Sequence, residues 1–362
     1  MDRAGVAGMV QRSHDTGGQL SDSERNIENL YSEERTFAPP ADFVAQANLS
    51  DPEIYARAAA DPEAFWAGIA REVLTWRQDF HTTLEWELPF AKWFVGGKLN
   101  VAENCLDRHV EAGLGDRVAY HWEGEPGDTR TITYAQLLEH VSRLANVLRG
   151  FGVQKGDRVV VYLPMIPELP MSLLACARIG AIHSVIFGGF SPDSIRDRVN
   201  DAEAKVIITA DAGFRRGKPS ALKANVDAAL KDCPTVEKVL VVNRCDTEVT
   251  MVEGRDVPYA DAVAGVDAHC EAEEMDAEDP LYILYTSGTT AKPKGVIHTT
   301  GGYLTQVAWT TREIFDLKPE SDTYWCAADV GWVTGHSYIV FGPLANGVTG
   351  VIFFFNDTAT TE

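Results

Sequence analysis

The fold of this chain is decided by the stretch LYILYTSGTTAKPKG at residues 281–295. Its first five residues, Leu281 to Tyr285, are apolar and predict a buried strand that leads directly into a loop. The loop at residues 286–295 carries four hydroxyl side chains, two glycines and two lysines, and no acidic residue. Backbone amides, hydroxyls and ammonium groups all donate to anionic oxygens. The loop therefore predicts a binding site for a polyphosphate.

Three interpretations of this loop compete. A Ser/Thr/Gly surface turn between a strand and a helix has the same composition. A P-loop requires Gly-Lys followed by Ser or Thr, and the order Lys294-Gly295-Val296 excludes it. The third interpretation is the phosphate loop of the adenylate-forming enzymes, which the stretch closely resembles in its hydroxyl-rich segment followed by Lys-Pro-Lys-Gly. Ala291 departs from that pattern, which has glycine there, and alanine costs about 1 kcal/mol where φ is positive.

Composition narrows the class of protein and its partners. The chain has 362 residues, a hydrophobic content of 45% and a formal net charge of -21. A surface this acidic repels nucleic acid and anionic lipid, so partners of both kinds are excluded. The sequence contains no apolar run near the roughly 20 residues of a membrane helix and no signal peptide. We therefore expect a cytoplasmic protein that binds small molecules through local positive clusters.

The cysteines indicate a reducing compartment. They are scattered, with no CxxC pair and no His/Cys spacing typical of a metal site, so we expect free thiols and no bound metal. The six are Cys105, Cys176, Cys233, Cys245, Cys270 and Cys326.

Over residues 37–353 the chain resembles the AMP-forming acetyl-CoA synthetases of the adenylate-forming acyl-CoA synthetase family. Besides the phosphate loop, the motifs that carry the resemblance are FAKWFVGGKLN at 90–100, NCLDRH at 104–109, HTTGGY at 298–303 and DVGWVTGHSY at 329–338. The resemblance implies a two-step ligation. Acetate attacks the α-phosphate of ATP, bound with Mg²⁺, to give acetyl-AMP and diphosphate, and the CoA thiol then displaces AMP.

The resemblance also implies the fold class and the domain organisation. We expect an α/β fold that forms part of the large N-terminal domain of adenylate-forming enzymes, with mostly parallel sheets flanked by helices and an N-terminal helical lid. The order of strands and helices after Asp116 independently predicts parallel sheet. The expected segments are a disordered tail at 1–36, a helical segment at 37–110, a partial AMP-binding domain at 111–353 and a tail at 354–362 that does not match the family.

Two local predictions follow from the sequence between these motifs. The aromatic residues crowded into Phe80 to Phe94 predict a helical lid that packs onto the main domain. The acidic run from Asp267 to Asp279 predicts a solvated connection without a strand.

Carried over position by position, the resemblance assigns three groups of binding residues. The ATP and diphosphate group is Thr286, Ser287, Gly288, Thr289, Thr290 and Lys294. The CoA group is Arg215, Arg216, Gly217, Lys218 and Thr334. The acyl pocket is Trp332, Val333 and Thr334. Two plainer interpretations stay open: Arg215–Lys218 as a solvated turn, and Trp332 as a core residue.

The end of the chain departs from the family. After Phe353 the residues FFNDTATTE match nothing in it, which indicates a frameshift or an assembly error. The family's catalytic lysine lies beyond residue 362, so this fragment alone is expected to be inactive. The alternatives are a propionate–CoA ligase of the same family and a noncatalytic relic that binds CoA or a nucleotide.

Overall fold

A computed structural model describes residues 36–286 and 293–353 of the chain. The chain divides into two compact units, Met1–Gln46 and Ala47–Glu362. The described part of the first unit contains one short helix, α1 (Ala41–Gln46), whose residues are exposed. The predicted tail at 1–36, apart from Thr36, and the segment 354–362 lie outside the described residues. Within the described ranges no helix is both long and apolar enough to cross a membrane.

The second unit alternates strands and helices. Its described strands are β1 (Thr82–Glu87), β2 (Phe90–Val95), β3 (Lys98–Leu99), β4 (Val118–Glu123), β5 (Thr129–Thr133), β6 (Arg158–Tyr162), β7 (Ile182–Val185), β8 (Val206–Ala210), β9 (Ala212–Arg215), β10 (Lys218–Ala221), β11 (Lys238–Val242), β12 (Asp256–Pro258), β13 (Met275–Asp276), β14 (Pro280–Thr286), β15 (Lys294–Thr299), β16 (Thr323–Trp325) and β17 (Thr349–Phe353).

Helices connect these strands. The described α-helices of this unit are α2 (Ile54–Ala60), α3 (Pro62–Val73), α4 (Tyr134–Gly150), α5 (Glu168–Arg178), α6 (Pro192–Ala202), α7 (Lys223–Ala229), α8 (Tyr259–Val263), α9 (Thr300–Glu313), α10 (Val333–Gly335) and α11 (Gly342–Ala345). Irregular helical turns lie at Glu103–Asp107, Val110–Leu114, Leu230–Asp232 and His336–Phe341.

The larger sheet has seven strands in the order β12-β11-β8-β6-β7-β14-β15. Every neighbouring pair is parallel except β14–β15. The inner strand β8 is buried along its whole length, and the central strand β6 is buried from Val159 onward. Strands covered on both faces are near-continuously apolar, as these are. The predicted α/β fold with mostly parallel sheet is confirmed.

A second sheet has four strands in the order β16-β17-β4-β5. Helix α4 begins where β5 ends, at a capping box: the Thr133 hydroxyl accepts from the Gln136 amide, and the Gln136 side chain accepts from the Thr133 amide. These two bonds satisfy amides that the first turn of a helix leaves free. The capping box therefore fixes the start of α4.

The predicted helical lid over Phe80 to Phe94 is wrong, because this segment forms the antiparallel hairpin β1–β2. Pro89 lies in the middle of the segment and cannot continue a helix, since it lacks the N–H that the helix needs. Phe94, at the end of the hairpin away from the turn, lies in the core, whereas Trp86 and Phe90 near the turn are exposed. Helices α2 and α3 precede the hairpin, and helical structure returns after β3, so strands β1 to β3 interrupt the helical part of residues 37–110.

Four further strands, β9, β10, β13 and β15, were not expected from the sequence. The acidic run 267–279 contains β13, which pairs with β3, so it is not free of strands. β15 follows the phosphate loop before α9 begins. A hairpin, β9–β10, precedes helix α7, which begins at Lys223.

Candidate functional site

The phosphate loop is carried by the hairpin β14–β15 at the edge of the larger sheet. Thr286 pairs with Lys294 at the end of the hairpin nearest the loop, and both residues are exposed. The Lys294 ammonium forms no ion pair with any described residue. Ser287, Gly288, Thr289 and Thr290, together with Ala291, lie outside the described residues. Of the six predicted phosphate-binding residues, the structure thus places two, side by side at the base of the loop.

The cationic segment Arg215–Lys218 forms the tight turn of the hairpin β9–β10. In the register of the two strands Arg215 lies opposite Lys218. Arg216 and Gly217 are therefore the two turn residues, with φ of 54° and 72°. Two-residue turns with positive φ at both positions match the twist of a hairpin, and glycine is favoured there because it has no Cβ. All four residues are exposed. The hairpin turn therefore brings the cations Arg215, Arg216 and Lys218 together within four residues.

These three cations lack the carboxylate partners that most described arginines have. Most arginines of the described chain form ion pairs with carboxylates, among them Arg178 with Asp107 and Arg158 with Glu203. By contrast, no described carboxylate lies within ion-pair distance of Arg215, Arg216 or Lys218. In a chain with a net charge of -21, a cluster of exposed cations without partners is available to an anionic ligand.

The turn opens onto a cleft between the two sheets. Arg215 lines this cleft together with Phe187, Arg244 and Asp329. The Arg244 guanidinium carbon lies 5.0 Å from the ring centres of both Trp122 and Phe214, which are side chains of β4 and β9. Arginine stacked between aromatic faces is held by cation–π attraction. The cleft therefore joins the cationic turn to the segment that begins at Asp329.

The motif DVGWVTGHSY is shaped by two glycines. A Cβ at Gly335 would lie 2.1 Å from the Asp329 carbonyl oxygen, and one at Gly331 would lie 2.9 Å from Asp329 Oδ1. Only glycine permits such close approach of two chain segments. The Gly331 amide donates to Asp329 Oδ1 at 2.6 Å. Burial raises the pKa of Asp329 to about 6, and this amide only partly opposes the effect.

The predicted acyl-pocket residues Trp332, Val333 and Thr334 lie at the start of α10 and are exposed. The Trp332 side chain is 54% exposed, so the alternative that it is a core residue is wrong. Its ring centre lies 6.4 Å from that of Phe187, in the wall of the cleft. Trp332 thus stands beside the cleft that Arg215 and Asp329 line.

A buried aromatic cluster connects this segment to the phosphate hairpin. His336 stacks against His183 of β7 with ring centres 5.5 Å apart and planes 8° apart, and its ring centre is 4.7 Å from that of Tyr282 in β14. Burial lowers the pKa of His336 to about 4 and lowers the pKa of His183 as well, so both rings are neutral at pH 7. The position of the phosphate hairpin is therefore coupled by packing to the Trp332 segment.

Sequence reasoning missed Asp329 and Arg244 as members of the cleft. Asp329 stands within a quoted motif, and a carboxylate two residues before a glycine is a signal for a constrained turn. Arg244 follows β11 and no motif surrounds it. Its place depends on Trp122 and Phe214, which are far from it in sequence.

Comparison with protein-family models identifies the class of protein. Residues 106–361 match the model described as AMP-binding enzyme, and this match extends into the segment 354–362 that was predicted to depart from the family. The chain belongs to the AMP-binding enzyme family. Residues 52–105 match a second model, described as acetyl-coenzyme A synthetase N-terminus.

Curated relatives give a finer comparison. The acetyl-coenzyme A synthetase of Streptomyces avermitilis is 61% identical over 332 residues, which are 91% of this chain and 51% of that protein. Its counterpart in Streptomyces coelicolor is 59% identical with the same coverage, and that of Rubrobacter xylanophilus is 58% identical over 88% of this chain and 49% of its own length. The chain spans about half the length of the curated relatives it matches.

Proposed function

We propose that this chain supplies the ATP-, acetate- and CoA-binding half of an AMP-forming acetate–CoA ligase. The reaction is acetate, ATP and CoA to acetyl-CoA, AMP and diphosphate, by way of acetyl-AMP. This activity belongs to the full-length ligase of which the chain would form one half. We place that ligase in the cytoplasm, because its substrates ATP and CoA are available there.

The unpaired cationic turn carries the proposal. Arg215, Arg216 and Lys218 have no described carboxylate partner, although the chain is strongly acidic. The 3′-phosphate of CoA is an anion that such a turn pairs with through charge-assisted hydrogen bonds. With its 3′-phosphate at the turn, CoA would extend along the cleft past Phe187 towards Trp332. The thiol of CoA is needed near Trp332 for the reaction. Thr334 follows Trp332 and lies within reach of the thiol end.

The β14–β15 hairpin serves the first half-reaction. Thr286 and Lys294, together with Ser287, Gly288, Thr289 and Thr290 of the loop, donate to the β- and γ-phosphates of ATP, which binds as its Mg²⁺ complex. A carboxylate oxygen of acetate attacks the α-phosphorus, the bond from that phosphorus to the bridging oxygen breaks, and diphosphate leaves. Donors fixed at the diphosphate stabilise the charge that develops on this leaving group.

The second half-reaction releases AMP. The CoA sulfur attacks the acetyl carbonyl carbon, the bond from that carbon to the phosphate oxygen breaks, and AMP departs with the electron pair. Trp332 and Val333 bound the acyl pocket, because a flat indole and a branched side chain leave space for a short acyl group only. Selection of acetate over longer acids then rests on exclusion by size.

The test measures binding of CoA and of dephospho-CoA to this chain by calorimetry. CoA should bind more tightly by about tenfold or more, since an ionic hydrogen bond contributes about 1.5–3 kcal/mol. Lys218→Glu should abolish the difference. The matched control is Lys231→Glu, the same charge change at an exposed position that does not line the cleft. Equal affinity of the unaltered chain for both ligands would remove the turn from CoA binding.

A further inference from the structure

We infer that Glu125 is a positioning residue for the anion-binding turn: its carboxylate holds the Gly217 amide and thereby sets where Arg215 and Lys218 present their charges. The inference rests on the proposed role of this turn in binding the 3′-phosphate of CoA. Glu125 also lines the cleft, and in this role it acts on the turn through its bond to Gly217.

The first observation is a bond between two turns that are remote in sequence. The Gly217 amide donates to Glu125 Oε1. Glu125 belongs to the turn between β4 and β5, in the four-stranded sheet, whereas Gly217 is the second turn residue of β9–β10. Of the polar groups in the exposed residues Arg215–Lys218, the Gly217 amide is the one with a described partner outside the hairpin.

The second observation is that the turn holding Glu125 is itself rigid. The Gly124 amide donates to the Asp128 carbonyl at 2.8 Å, and the Gly127 amide donates to the Gly124 carbonyl at 2.8 Å. Asp128 also forms an ion pair with Arg244 at 2.8 Å. A Cβ at Gly124 would lie 2.4 Å from Arg244 Nη2, so a larger residue there would displace the Arg244 side chain. A rigid platform is what a positioning group requires.

The third observation concerns charge. A carboxylate beside an anion-binding turn repels the anion, and Glu125 Oε2 is buried with no hydrogen-bond partner among the described residues. A buried, unpaired carboxylate oxygen is unfavourable. A glutamate at this place therefore needs a compensating contribution, and the bond to Gly217 is the one the structure shows. The bond to Gly217 fixes a turn in which Arg216 adopts a left-handed φ of 54°. This conformation is unfavourable for residues other than glycine.

The test compares CoA and dephospho-CoA binding to the full chain by calorimetry, for Glu125→Ala and Glu125→Gln. The Ala variant loses the acceptor for Gly217, and the Gln variant keeps an acceptor oxygen but loses the charge. We expect the Ala variant to bind CoA about tenfold more weakly, the loss typical of an outer-shell orienting partner, with dephospho-CoA almost unchanged. The Gln variant should bind CoA at least as tightly as the unaltered chain. The control is Glu123→Ala, an exposed carboxylate two residues away.

Several outcomes overturn the inference. Unchanged CoA affinity in the Ala variant, tighter binding in both variants, or an equal loss for CoA and dephospho-CoA would each show that Glu125 does not orient the cations. If the unaltered chain binds CoA and dephospho-CoA equally well, that result contradicts the proposed CoA-binding role of the turn. It is distinguishable from the three outcomes above, which contradict only the role of Glu125. Should the Ala variant not fold, hydrogen exchange of the unaltered chain decides: a Gly217 amide that exchanges at the rate of an unprotected turn contradicts the bond.

Discussion

The half-buried carboxyl of Asp329 makes the stability of the fold depend on pH in a defined direction. Asp329 lines the cleft and accepts one amide, from Gly331 at 2.6 Å. Burial raises its pKa from the ordinary 3.8 to about 6. The folded protein thus holds this proton to a higher pH than the unfolded chain does. Between these two pKa values the folded state binds more protons, so its free energy of unfolding falls as pH rises.

The size of the effect follows from the shift. Ionising Asp329 in the fold costs at most about 3 kcal/mol once both states are ionised, well above pH 6. At pH 4 the cost is below about 1 kcal/mol, because the carboxyl is protonated in the folded state and partly so in the unfolded state. The side chain is partly exposed, and solvent screening reduces the upper figure to about 2 kcal/mol. Asp329→Asn keeps the oxygen that accepts from Gly331 and removes the charge.

Urea unfolding of Asp329→Asn and the unaltered chain at pH 4 and pH 8 tests this reasoning. The variant should be more stable by about 2 kcal/mol at pH 8 and by less than about 1 kcal/mol at pH 4. Because both proteins share every other titrating group, the change in their difference isolates Asp329. A difference that is independent of pH, or a variant less stable at pH 8, would show that the carboxyl is not kept from water as described.

Three other predictions use this chain or a chimera that joins residues 1–353 to the remaining half of the Streptomyces avermitilis relative. In the chimera, Lys294→Ala should slow acetate-dependent exchange of diphosphate into ATP by about 10²-fold without weakening CoA binding, and an unchanged rate would remove Lys294 from the phosphate site. Trp332→Gly should shift kcat/KM from acetate towards four- and five-carbon acids, at about 0.8 kcal/mol for each methylene newly buried; an unchanged order of preference would misplace the acyl pocket. In the chain itself, Lys223→Met should lower the free energy of unfolding by about 1.5–3 kcal/mol, the contribution of a hydrogen bond between charged groups, because the side chains of Lys223 and Asp256 are fully buried 2.8 Å apart while Arg255 remains as a second partner of Asp256; a loss below about 1 kcal/mol in urea would contradict this.

The sequence predicts the parallel part of the fold well because each element there carries its own signal. Val159 to Val161 form an unbroken apolar strand, and Thr133 with Gln136 supplies a capping box, so both are legible without knowing the neighbours. The hairpin β1–β2 was missed because its aromatic residues suit a helix as well as a strand. Pro89 at its centre is the residue that argues against a helix.

The candidate site was predictable as a set of residues and not as an arrangement. Arg215 and Lys218 stand in a recognisable segment, but their hairpin is exposed along β10 and has no alternation of apolar and polar residues. The bond from Gly217 to Glu125 and the packing of His336 on Tyr282 join positions far apart in the chain. Such contacts depend on how the two sheets pack, which local patterns do not encode.

The most direct test of the proposed ligase is acetate-dependent exchange of labelled diphosphate into ATP by the chimera. The exchange measures acetyl-AMP formation alone, so it reports on the phosphate hairpin and the acyl segment that this chain would contribute. We predict exchange that requires acetate, at a rate within about tenfold of the Streptomyces avermitilis parent, a difference of about 1.4 kcal/mol in barrier. A folded chimera that shows no exchange, or exchange that does not depend on acetate, would contradict the assignment.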